Sequence, residues 1–277
     1  MIRDLLGIEE VEAAAGETSV PVASPAATAA EVRERAAVYR LLSGAFVEEP
    51  SREFLDAVRT PDAQRRFAEA GLRFDDDFTG APFDELAETL AVEYTTLFAA
   101  SGGFPPVESV RLYGRFKQEP NFDTMQLYKR HGFVLQPGRF EVFADQLGVE
   151  LMFVAELLER QAAALDREDA KGSRRLDKDI KRFWVQHPGR WVRGYAGLVQ
   201  RAAHHSFYRE MARLLEGFAA EEIAAMGLAV EDADQARLVV PKAEIKVEFD
   251  PNEPVCNGCV GEALAAQEKV QTLHDLR

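Results

Sequence analysis

Apolar residues in this chain recur mostly at helical spacing. From Ala29 onward, Val32, Ala36, Tyr39 and Leu42 repeat every three or four positions with charges between them. Phe83, Leu86, Leu90, Tyr94 and Leu97 step by three, four, four and three, which is one stripe of a second helix. Residues 139–165 predict a central helix whose stripe is Phe140, Phe143, Leu147, Leu151, Val154 and Leu158. On that helix Asp145 would point nearly opposite the stripe, beside Val142, Val149 and Met152. Glu150 would lie near the stripe's edge. An ionised carboxylate among apolar neighbours is costly, so both acids need a partner. From Pro188 to about Phe218 the pattern predicts one more helix, with Trp191, Tyr195, Leu198 and Ala202 on one stripe. Phe207, Met211, Leu214 and Phe218 form a later stripe of it.

Turn-forming residues divide these stretches. A Pro-Ser start precedes REFLDAV, PDAQRRFAEAG runs from Pro to Gly, and NFDTMQLYKRHGF runs from an Asn cap to a Gly stop. DDDFTGAP, AASGGFPP and LQPGR read as breaks, and Gly172-Ser173 as a break before a shorter helix. ESVRLYGRFKQEP is ambiguous between helix and irregular chain. After Gly227, alternating Ile245, Val247 and Phe249 suggest a short strand before a Cys256-Asn-Gly-Cys259 turn and a short terminal helix. The expected fold class is all-α: one helical domain over 29–227, a flexible tail over 1–28, and an irregular extension over 228–277 that carries the Cys-x2-Cys pair.

Composition narrows the function. The chain of 277 residues is 47% hydrophobic, enough for a sizeable core. Its net charge of −14 argues against nucleic acid or anionic lipid as a partner. No apolar run is long enough to span a bilayer and no secretory signal is present, so a cytoplasmic protein without membrane insertion is expected. Phosphate-binding glycine loops, dinucleotide fingerprints, Glu-x-x-His pairs, zinc-protease helices and nucleophile elbows are all missing. His204 and His205 are adjacent, so their side chains diverge by about 100° and share one metal poorly. No catalytic constellation emerges, and a binding protein is expected rather than an enzyme. Cys256 and Cys259 have the spacing of half a zinc or iron–sulfur site, with His274 the only nearby histidine. They are equally readable as two thiols or a reversible disulfide, with no cofactor. A metal-binding redox or electron-carrier protein built on this pair is the alternative function.

Three stretches resemble one known family: Tyr94-Thr-Thr-Leu97-Phe98 with the following GGFPPVESV, then ADQLGVELMFVAELL, then FWVQHPGRWVRGYAGLVQRAAHHSFYREMARLLEGF. In this order, over roughly residues 30–225, they are similar to the TorD/DmsD/NarJ superfamily of cytoplasmic chaperones for molybdenum-cofactor oxidoreductases. The resemblance implies a TorD-like helical fold. It implies as partners the twin-arginine signal peptide and the apo form of such an oxidoreductase, of the dimethyl-sulfoxide-reductase type. The chaperone would assist cofactor loading and assembly before export, as a monomer or a dimer. By the same resemblance the peptide-binding positions are Tyr94, Leu97, Phe98, Pro105, Pro106, Asp145 and Gln146. The family often has His where Gln146 stands, and the residues ahead of Asp145, Glu141-Val-Phe-Ala, also depart from its pattern. Asp145 would then offer its carboxylate to an incoming guanidinium, beside an apolar groove.

Overall fold

The computed structural model describes residues 27–100, 102–135 and 142–235. Among them are eleven α-helices and one 3-10 turn. They are α1 (Ala29–Phe46), α2 (Arg52–Val58), α3 (Pro61–Glu69), α4 (Asp76–Thr79), α5 (Phe83–Phe98) and α6 (Glu108–Tyr113). Then follow α7 (Glu119–Arg130), α8 (Leu147–Asp166), α9 (Ala170–Gln186), the 3-10 turn Pro188–Arg190, α10 (Val192–Ala202) and α11 (Ser206–Ala225). The all-α expectation holds. The tail up to residue 26, the Ile245–Phe249 strand and the Cys256/Cys259 turn lie outside the described residues.

The first helix starts where its sequence says it should. Thr28 Oγ1 accepts from the Glu31 amide, and Glu31 Oε2 accepts from the Thr28 amide, a reciprocal capping pair. Its stripe of Val32, Ala36, Tyr39 and Leu42 is buried. This face packs along α8, which is buried on nearly every side through Leu147, Leu151, Val154 and Leu158. Close approach of the two helices needs Gly148: a Cβ there would stand 2.5 Å from the Val47 Cβ. Ser43 Oγ donates to the Gly148 carbonyl at 2.7 Å, so the crossing is hydrogen-bonded as well as packed. α9 lies against α8, and α10 pairs with α11. A buried polar chain joins three helices. Trp184 of α9 donates to the Tyr39 hydroxyl of α1 at 2.7 Å, and Tyr39 donates to Glu222 of α11. Arg35 also holds Glu222, with Nε at 2.7 and 2.8 Å from its two oxygens.

Several boundaries differ from the sequence reading: DDDFTGAP, read as a break, contains α4, and α7 starts at Glu119 rather than from an Asn121 cap. The central helix begins at Leu147 rather than 139, with Gln146 as its cap. Asp145 therefore precedes the helix and has no place on its wheel. Gly172-Ser173 does not break a helix, because Asp169 caps α9 and accepts from the Gly172 amide at 2.8 Å. The stretch after Pro188 is two helices, since His205 Nδ1 accepts from the Phe207 amide and starts α11 anew. Residues 228–235 pack against the helices: Asp232 Oδ2 accepts from the Arg193 and Gly194 amides, and Asp234 accepts from Arg111 in three contacts of 2.8 to 3.0 Å.

Candidate functional site

The seven expected binding residues meet at the junction of α1, α5, α6 and α8. Leu97 and Phe98 are buried, and Phe98 stacks edge-on with Phe46, Tyr94 and Tyr208. Tyr94 is half-buried, and burial, followed by the charges of Glu48 and Glu49, raises its hydroxyl above the usual tyrosine range. The chain reverses after α5 as the Phe104 amide donates back to the Leu97 carbonyl at 2.6 Å. Pro105 and Pro106 are buried and set Val107 opposite Gln146 in an antiparallel bridge. Leu147 donates to the Pro106 carbonyl at 2.8 Å, and Glu108 donates to the Asp145 carbonyl at 2.9 Å.

That clamp brings two helix N-termini side by side. Asp145 Oδ2 accepts from the Ser109 amide at 2.8 Å, so the carboxylate caps α6 from outside the helix. Gln146 Oε1 accepts from the Val149 amide at 3.0 Å and caps α8, while its Nε2 donates to the Phe46 carbonyl at 2.6 Å. Tyr94 Oη reaches the same carbonyl at 3.4 Å. Where the family often has His, an amide serves well here, since one side chain must both accept and donate. Asp145 is fully buried and Gln146 nearly so. Of the seven, Tyr94 alone presents appreciable surface; the others hold the junction together.

The same junction gathers Glu150, whose need for a partner the sequence flagged, with Glu108 and His187, which it did not single out. Glu108 opens α6, Glu150 lies in the first turn of α8, and His187 follows α9; all three are buried. His187 Nδ1 stands 2.9 Å from Glu108 Oε2, and Arg190 Nη1 approaches Glu108 Oε1 at 3.8 Å. One ligand atom from each of Glu108, Glu150 and His187 lies within 4.8 Å of the others. Burial first, and then the charges of Glu108 and Asp145, pushes the Glu150 carboxyl well above its ordinary range. Burial likewise raises Asp145, against the opposing hydrogen bond from Ser109. A helix N-terminus favours an acid, which accounts for the placement of Glu108 and Glu150 without supplying a partner. The sequence signals were an acid two positions after Pro-Pro and a second inside an apolar run; their convergence with a histidine 37 positions beyond Glu150 was invisible.

Beside this junction a cleft of about 510 Å³ lies between α7 and the end of α9. Tyr113, Leu127 and Val185 give it apolar walls, Glu119 and Asp123 give it acids, Arg130 and Arg190 give it bases, and His187 also lines it. Tyr113 and Val185 are exposed, as are the neighbouring Phe122 and Met125 of α7.

Residues 60–196 match the family model described as nitrate reductase delta subunit. Residues 60–196 belong to the TorD/DmsD/NarJ superfamily. The matched span of this superfamily domain covers α3 to the first turns of α10, and so contains the clamp, the buried acids and the cleft. A solved structure of a redox enzyme maturation protein from Archaeoglobus fulgidus is similar at 19% identity, with a TM-score of 0.41. That similarity spans 67% of this chain and 93% of the other. No curated protein sequence matches. Among the described residues no helix is long and apolar enough to cross a membrane.

Proposed function

We propose that this redox-enzyme maturation chaperone binds the twin-arginine signal peptide of a molybdenum-cofactor oxidoreductase. Holding that peptide would retain the apo-enzyme in the cytoplasm until its cofactor is loaded and its assembly is complete. The observation that supports this reading most is the cleft beside the clamp within the family-matched span. It combines acids at Glu119 and Asp123 with an apolar wall of Tyr113, Leu127 and Val185, while Arg130 and Arg190 also line it. Two adjacent arginines followed by an apolar segment complement the two acids and the apolar wall. Burying about three apolar side chains offers roughly 5–8 kcal/mol gross, and ordering the peptide offsets several of these. A dissociation constant in the micromolar range follows.

Within this proposal the seven resemblance-derived residues take a share of the work. Tyr94 offers surface, while Leu97, Phe98, Pro105, Pro106, Asp145 and Gln146 set the position of α6, which ends at Tyr113 on the cleft. No step of catalysis is assigned to the protein. Its further partner is the apo-oxidoreductase carrying the peptide.

Fluorescence anisotropy with a labelled twin-arginine peptide tests the reading. Binding is expected to weaken about 10-fold or more when both arginines become lysines, since Lys cannot make the bidentate contact. The double change Glu119→Lys, Asp123→Lys is expected to abolish the preference. Equal affinity for the two peptides, or none for either, would sink the proposal.

A further inference from the structure

Glu150 is fully buried, and its polar neighbours are Glu108 and Trp191. Yet neither of its carboxyl oxygens makes a sound hydrogen bond among the described residues. Glu108 Oε1, Asp145 Oδ1 and the Trp191 indole N–H are buried and unsatisfied in the same way. Buried polar groups are normally paired, and so many unmet acceptors in one place call for a cation. The Arg190 guanidinium reaches Glu108 at 3.8 Å and is 40% exposed, so it neutralises the group weakly.

We propose that Glu108, Glu150 and His187 bind one divalent transition-metal ion. Two carboxylate oxygens and an imidazole nitrogen suit Zn²⁺, Mn²⁺ or Fe²⁺ better than Ca²⁺ or Mg²⁺, which take oxygen almost alone. Ligand bonds of about 2.0–2.2 Å require the three atoms to close around one point. They already lie within 4.8 Å of one another, and His187 with Glu108 within 2.9 Å, so a shift of the Glu150 side chain completes the set. Asp145 adds negative charge beside the ion, and the Trp191 N–H can orient a Glu150 oxygen from outside the set. His187 lines the cleft between α7 and α9, which supplies an entry path and room for a water or a ligand in the open positions. The proposal uses neither Cys256 nor Cys259 as a ligand, and does not depend on signal-peptide binding.

The test is calorimetric titration of Zn²⁺ into the chelator-stripped full chain carrying Cys256→Ser and Cys259→Ser, which removes the competing thiols. One equivalent is expected to bind. Glu150→Gln and His187→Gln, in the same background, are expected to weaken it by about 10-fold or more, as even outer-shell changes do at metal sites. Glutamine matches a protonated glutamate in shape, so Glu150→Gln should keep the fold, checked by thermal melting. A second measurement needs no variant in the cluster. Co²⁺ in the otherwise native chain is expected to show the visible bands of nitrogen and oxygen ligation. Lack of saturable binding in the thiol-free chain, equal affinity in both cluster variants, or a Co²⁺ spectrum showing thiolate ligation alone would overturn the proposal.

Discussion

Asp145 shows how the surroundings of one side chain decide its role. On a helix wheel it is an acid on an apolar face, open to a guanidinium from outside. In the structure it caps α6 through the Ser109 amide and has no exposed surface. Asparagine can still accept that hydrogen bond, whereas alanine cannot. Asp145→Ala is therefore expected to cost about 1–3 kcal/mol, the penalty of an orphaned buried amide, and Asp145→Asn clearly less. Urea unfolding of the two variants checks this ordering, and equal losses would argue against a capping role. Gln146 teaches a similar lesson. The sequence shows an amide where the family often has a histidine; the fold shows it accepting from Val149 and donating to Phe46 at once.

At the scale of elements, caps that come from distant chain segments replace caps that a sequence window can show. Thr28 with Glu31 is a local device and was legible. Asp77 of α4 is not local: it accepts from the Ser206 amide at 2.9 Å and from its hydroxyl, and so starts α11 from 129 positions away. Burial would raise the Asp77 carboxyl, but the Ser206 hydrogen bonds, the nearby His205 and the Phe78 amide outweigh it and hold it below the ordinary aspartate range. A carboxylate with a depressed native pKa stabilises above its unfolded pKa, and that contribution disappears as pH falls through the native value. The stability difference between wild type and Asp77→Asn is thus expected to be present at pH 7 and to shrink as the pH falls below about 3.8. Chemical denaturation at a series of pH values reads it, and a difference that stays constant into acid would refute the assignment. The helix break at His204–His205 belongs here too: apolar stripes continued across it, so periodicity alone joined α10 to α11.

Across the whole molecule, residues 228–235 close the fold where the sequence marked a change of character. Asp232 accepts from the amides of Arg193, Gly194, Asp234 and Gln235, with distances of 2.9 to 3.1 Å. Asp232→Ala is expected to destabilise the protein by about 2 kcal/mol, since four buried or part-buried amides lose their acceptor together. Thermal melts would show the loss, and an unchanged melting temperature would mean that this segment merely lies alongside. The amino-acid sequence by itself determined the helical class, the buried stripes of α1, α5 and α8, and the family, because those depend on spacing along one chain. Tertiary structure alone decided which acids are buried, what satisfies them, and where a cleft opens. Glu108, Glu150 and His187 come from three elements far apart in sequence, and a carboxylate's hydration and partners are set by whatever packs against it in space.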